Sequence, residues 1–260
     1  MNNNEGSFND EELRKRAASN EELNIRLTNN YAFQKIFKNE EIVKGFLMAL
    51  LHLKETDIET LEVADPFVEG EVKEEKEGIL DVKMVLNGGQ KRLTLKCKIH
   101  IRKIGQSEAY FYNCRMFTEG LKKGESYYEL PPCIHVGILD FNYLKSPGFY
   151  HRILLKDDTT GELYSSKFQF HVIELSKIAT TKGKARKQDF YKWAKLISAS
   201  TWEEIREESE GNHYMEKVRD EMIKMSQDES ERYLYLREQM AIRDKASQLR
   251  SSREYRNKER

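Results

Sequence analysis

The stretch from Ile79 to Ile101, ILDVKMVLNGGQKRLTLKCKIHI, constrains this chain more than any other. Side chains alternate along a strand, so Leu80, Val82, Met84 and Leu86 fall on one face and Asp81, Lys83 and Val85 on the other. In the second run Leu93, Leu95, Cys97, Ile99 and Ile101 share a face, opposite Thr94, Lys96, Lys98 and His100. Asn87-Gly88-Gly89 between them suits the positive φ angles of a hairpin turn. If both apolar faces join one core, Asp81 comes to lie across from Lys96 and Lys98, and a carboxylate meets two ammonium groups on one surface. Charges on a strand's second face are ordinarily its solvated side, so the pattern alone does not make a site.

A length of 260 residues is ample for one α/β domain with an appendage. The 44 basic and 44 acidic residues cancel, so binding to phosphate needs a local patch rather than a global charge. Cys97, Cys114 and Cys133 are widely spaced, without a CxxC pair, and read as reduced, mostly buried thiols of a cytoplasmic protein. The longest strongly apolar run, Phe46 to Leu51, is far short of a membrane span, and the N-terminal MNNNEGSFNDEE has no basic start followed by an apolar block. The histidines His52, His100, His135, His151, His171 and His213 are scattered, with no pair at metal-ligand spacing. No serine or cysteine stands in a recognisable nucleophile setting.

From Asn30 to Leu53 the residues Phe33, Ile36, Phe37, Val43, Phe46, Leu47, Leu50 and Leu51 recur at helical spacing, with Thr28 or Asn29 as cap. A short strand is expected at Asp57 to Val63, then a charged linker through GEVKEEKEG. Tyr110, Phe111, Cys114, Phe117 and Leu121 predict the apolar face of a helix from Ile104 to Gly120, closed by Gly124. Cys133 to Phe141 is a nearly continuous apolar run that fits a central strand buried on both faces, and Lys167 to Leu175 predicts another. From Gln188 the pattern turns helical, with Phe190, Trp193, Ala194, Leu196 and Ile197 on one face. The last eighteen residues, from Arg243, carry seven basic and three acidic side chains, as a solvated helix end does.

LTNNYAFQKIF at 27–37, KEGILDVKMVLNGG at 76–89, LKKGESYYELPPCIHVGILDF at 121–141 and the charged C-terminal helices follow one another in a telling order. Together they resemble the Rpn family of recombination-promoting nucleases and transposases over roughly residues 25 to 250. The resemblance implies a PD-(D/E)XK (restriction-endonuclease-like) α/β core, with a mixed central sheet flanked by helices. It divides the chain into a polar segment at 1–24, the nuclease-like core at 25–180 and a charged helical region at 181–260. In such a family Mg²⁺ held by carboxylates on the hairpin strands polarises a DNA phosphodiester and activates water. A lysine or glutamine two residues beyond the second carboxylate orients that water.

Carried over by position, Asp81 matches the metal-binding aspartate and Lys98 the water-orienting position. The departures are Lys96 in place of the second metal carboxylate, Asn30 where the first helix often has an aspartate, and Glu108 where an arginine often precedes the next helix. Two unit charges about 4 Å apart interact by roughly 4 kcal/mol at an effective dielectric near 20. Replacing a carboxylate by an ammonium beside a dication therefore swings the interaction by on the order of 10 kcal/mol. Even a third of that costs more than a hundredfold in metal affinity. Glu69, Glu71 or Glu108 would have to reach in to replace the missing ligand.

Two readings follow. In the first, the chain is a Mg²⁺-dependent DNA endonuclease by descent whose site is degenerate, with Asp81 the metal ligand and Lys96 the residue that abolishes cleavage. In the second it is a non-catalytic DNA-binding or protein-interaction member of the same fold. There Lys96, Lys98, His100 at the cleft rim and the basic C-terminal stretch contact phosphates, and the C-terminal helices offer a route to a homo-oligomer.

Overall fold

A computed structural model describes residues 25–64, 82–87, 91–98, 105–118, 121, 124–183 and 189–258. The expected single helix after Asn29 is two helices, α1 (Asn30–Phe37) and α2 (Glu40–Leu51). Asn29 caps α1 through its side-chain oxygen to the Ala32 N–H. Asn39 adopts extended angles, and its side chain accepts from the Glu41 and Ile42 N–H groups, restarting the helix on a new axis. An asparagine that satisfies backbone donors itself competes with helix continuation, which is why apolar periodicity alone ran through the break.

The sheet has six strands, β1 (Leu61–Ala64), β2 (Val82–Leu86), β3 (Lys91–Lys98), β4 (Cys133–Leu139), β5 (Tyr150–Lys156) and β6 (Leu163–Glu174), in spatial order β1-β2-β3-β4-β6-β5. The β2–β3 hairpin is antiparallel, and its register sets Val82 opposite Leu95 and Met84 opposite Leu93, as joining the two apolar runs requires. β3, β4 and β6 run parallel, whereas β1 and β5 add antiparallel at the two ends. Asn87, with φ of 50°, ends β2. Its side chain accepts from the Glu59 and Thr60 N–H groups at 2.9 and 3.2 Å and donates to the Asp57 carbonyl at 2.9 Å, fixing the turn before β1. That turn takes up 55–57 as 3₁₀ helix, so the strand expected from Asp57 starts later, at Leu61.

β4 is buried along nearly its whole length, as its unbroken apolar run requires. β5 was not legible in the sequence: it is an outer strand, half exposed, and YHRILLK shows neither clean alternation nor a buried run. The helices after β6 are α4 (Asp189–Ser198), α5 (Trp202–Ser209), α6 (His213–Gln227) and α7 (Glu229–Lys258). Thr201 and Glu204 form a capping box at the start of α5.

One apolar core joins α1, α2, α4 and α6 to one face of the sheet. Phe46 sits at its centre, with ring centroids 5.5 Å from Phe37, 5.6 Å from Trp193 and 5.9 Å from Phe190. Burying each such ring contributes about 1.5–3 kcal/mol. Gly45 is required where α2 meets α6, because a Cβ there would lie 2.3 Å from the Tyr214 Cβ.

The other face of the sheet carries α3 (Gly105–Thr118). Its helix is where the sequence placed it, and Tyr110 and Phe117 of the expected face pack on Phe170 and Phe168, but the rest of the face differs. Tyr110 and Phe111 are exposed at 45% and 50%, and Cys114 is exposed as well, whereas Asn113 and Met116 are buried. The Asn113 amide donates to the Gln169 carbonyl at 3.1 Å, a polar anchor that apolar spacing cannot reveal. Of the cysteines with described side chains, Cys133 is buried as expected and Cys114 is not.

Candidate functional site

Three parallel strands, β3, β4 and β6, end side by side, the place in an open α/β sheet where ligand sites form. Lys96 stands opposite Gly137, and Lys98 opposite Leu139, which in turn faces Glu174. The Lys98 and Glu174 positions are thus two strand spacings, roughly 10 Å, apart. The row belongs to the α3 side, because Thr94 pairs with His135 and His135 with Phe170, whose ring packs 5.3 Å from that of Tyr110. Among the described residues, a Cβ added at Gly137 would meet only His135 Nε2 at 3.9 Å and the His171 carbonyl at 4.0 Å. Asp81, His100, Glu69 and Glu71 lie outside the described residues. Glu108 falls in the first turn of α3.

At the C-terminal end of β6 the charges are already satisfied. Glu174 is fully buried and accepts from the Tyr143 and Leu144 N–H groups, the latter at 3.1 Å. Lys177 donates to its carboxylate at 2.8 Å and to the Leu144 and Ser146 carbonyls at 2.7 and 2.6 Å. All three ammonium protons are used, so the pair fixes the segment after β4 rather than offering itself to a ligand. His151 extends the clamp, donating to the Gly148 carbonyl at 2.9 Å while lying 3.4 Å from Glu174. A glutamate and a lysine three residues apart at the end of the apolar run HVIELSK were the signal available in the sequence.

A second polar network crosses the core face of β5 and β6. Arg152 Nε donates to Gln169 Oε1 at 3.1 Å, which fixes that amide's orientation. His171 Nε2, 3.1 Å from the same oxygen, must then carry the proton, so Nδ1 accepts from the Tyr150 hydroxyl at 2.9 Å. Burial, with the Arg152 charge adding to it, lowers the His171 pKa to about 4, and burial pushes Tyr150 up to about 12. Both are neutral structural groups at neutral pH.

Asn30, the departure on α1, donates to Glu238 of α7 at 3.2 Å, while Glu231 of α7 accepts from Tyr31 at 2.6 Å and pairs with Lys35 at 2.9 Å. An amide suits this position because an aspartate there would face the Glu238 carboxylate. A separate groove of about 670 Å³ between α2 and α6 contains Glu40, Glu41, Glu55 and Glu59. Its Glu41 is engaged by His213 and Lys217, and its Glu55 by Lys44, so it reads as an interhelical clamp.

The sheet order, the hairpin and the C-terminal helices acquire a common meaning from comparison with known families. A family model described as PD-(D/E)XK nuclease family transposase matches residues 27–252. The chain belongs to this family. No curated protein and no solved structure matches it. Nucleases of the PD-(D/E)XK class usually work with divalent metals, which makes the donor set the next question. Among the described residues no three Asp, Glu, His or Cys side chains converge to hold a metal ion. The candidate positions on β3, Lys96 and Lys98, are ammonium groups, which offer Mg²⁺ no oxygen ligand. No helix among the described residues is long and apolar enough to cross a membrane.

Proposed function

We propose that this chain is a DNA-directed member of its family, descended from Mg²⁺-dependent endonucleases, in which phosphodiester hydrolysis is lost or strongly impaired by Lys96. The observation that carries the reading is the place of Lys96 and Lys98 on β3, in the middle of the sheet with Lys96 opposite Gly137, within a chain matched by the nuclease family model. In this reading Asp81 is the remaining metal ligand, and Lys98 holds the water-orienting position. Lys96 and Lys98 bind the phosphates that a metal ion would otherwise polarise. Lys96 fills the electrostatic role of the cation without activating water, so the backbone is held and not cut. The substrate class is DNA, with His100 at the rim of the cleft.

The test is plasmid nicking in Mg²⁺ or Mn²⁺ by the native chain, Lys96→Glu and Asp81→Ala. The expected result is no nicking by the native chain and a gain in Lys96→Glu. Robust nicking by the native chain that disappears in Asp81→Ala contradicts the proposal.

A second reading, a purely binding or interaction protein, is favoured by α7. The helix runs thirty residues to Lys258, and most described positions beyond Ala241 are exposed. DNA binding that weakens by several decades between low and moderate salt fits both readings. No association at low salt leaves the protein-interaction role alone.

A further inference from the structure

The candidate site has aromatic neighbours as well as lysines. Phe117 of α3 packs 5.7 Å from Phe168, and Tyr110 packs 5.3 Å from Phe170, two residues further along β6. α3 therefore runs against the direction of the parallel strands, and its first half lies toward their C-terminal ends, where Lys98 stands opposite Leu139. Tyr110 and Phe111, in that half, are 45% and 50% exposed. Tyr143, 40% exposed, comes to the same end from the segment after β4. Its N–H donates to Glu174, in the same row as Lys98, and the charge of that carboxylate is offset by Lys177. Burial raises the Tyr143 pKa and Tyr110 adds to the rise, which puts the two phenols within electrostatic reach of each other. Lys145, two residues further on, is exposed.

Half-exposed rings beside cationic positions match the two chemical parts of a nucleic acid strand. Ammonium groups meet phosphates, and rings stack on the faces of bases. In a paired duplex those faces are covered by the neighbouring bases, so only unpaired nucleotides offer them. We propose that this site takes DNA with unpaired bases, single-stranded or locally melted, whose bases stack on Tyr143, Tyr110 and Phe111 while Lys96, Lys98 and Lys145 hold its phosphates. The inference rests on the DNA-directed reading above and adds the form of the DNA.

The test is fluorescence anisotropy of the full chain at low salt, in EDTA so that nothing is cut, with one labelled sequence as single strand, as duplex and as duplex with a central unpaired bubble. The single strand and the bubble are expected to bind about tenfold or more tighter than the duplex. Tyr143→Ala and Phe111→Ala, at exposed side chains, are each expected to weaken single-strand binding by about tenfold, with duplex binding and the thermal midpoint unchanged. Tyr143→Phe keeps the ring and is expected to keep the affinity, which a role through the hydroxyl would not allow. Equal affinity for the three forms overturns this proposal and leaves the DNA-directed reading standing. Single-strand affinity unchanged in both alanine variants does the same. No binding to any of the three forms overturns both.

Discussion

The two faces of the sheet are built on different principles. On the side of α1, α2, α4 and α6, apart from the polar network of Arg152, Gln169 and His171 at β5 and β6, the contacts are aromatic and closed: Phe46, Phe37, Phe190 and Trp193 fill one another's gaps, and each is at most 3% exposed. On the α3 side polar groups are buried, aromatic rings are exposed, and the strand at the centre carries lysines. The first face stabilises the fold. The second is where charge is held at the ends of parallel strands.

Mutations should separate the two. Trp193→Ala is expected to cost the most, about 3–5 kcal/mol of unfolding free energy in urea denaturation, because the close-packed cluster cannot collapse around the cavity. A loss below about 1 kcal/mol would mean that the closed face is not the source of stability. Glu174→Gln is expected to approach that figure, about 3–5 kcal/mol, because it leaves the Lys177 ammonium buried without its counter-charge. The loss should shrink in the double variant Glu174→Gln/Lys177→Met, a coupling read from a double-mutant cycle. Additive losses would show that the clamp is not one unit.

His171 gives a slightly smaller, pH-dependent effect. Its pKa falls from 6.5 in the unfolded chain to about 4 in the fold, so between those values the unfolded chain binds more protons. Stability must then fall as pH drops from about 6.5 towards about 4, by on the order of 3 kcal/mol in total, and nothing from this group is lost above pH 7. Denaturation midpoints across that window should slope in the native chain and flatten in His171→Gln.

The closed face was legible because it rests on apolar periodicity. The stripes from Phe33 to Leu50 and from Phe190 to Ile197 are buried, and the run at Cys133 became the buried β4. The β2–β3 pairing was legible because alternation and the Asn87 turn fix a register. What escaped was decided by single polar atoms. Asn39 broke one expected helix into two, Asn113 takes a buried place on α3 while Phe111 is half-exposed, and β5 is held by Arg152, Gln169 and His171 rather than by an apolar stripe. Of the candidate site, the sequence placed Lys96 and Lys98 together on one strand, as found, whereas the Glu174–Lys177 clamp beside them needed tertiary contacts to recognise.

Lys96 carries the central claim, and calorimetric titration with Mn²⁺ of the native chain and of Lys96→Glu tests it most directly. The account predicts no saturable binding by the native chain at millimolar metal. It predicts a gain of at least about 100-fold in affinity on exchanging the ammonium for a carboxylate, lost again when Asp81→Ala is added. Tight binding by the native chain, abolished by Asp81→Ala, would contradict it.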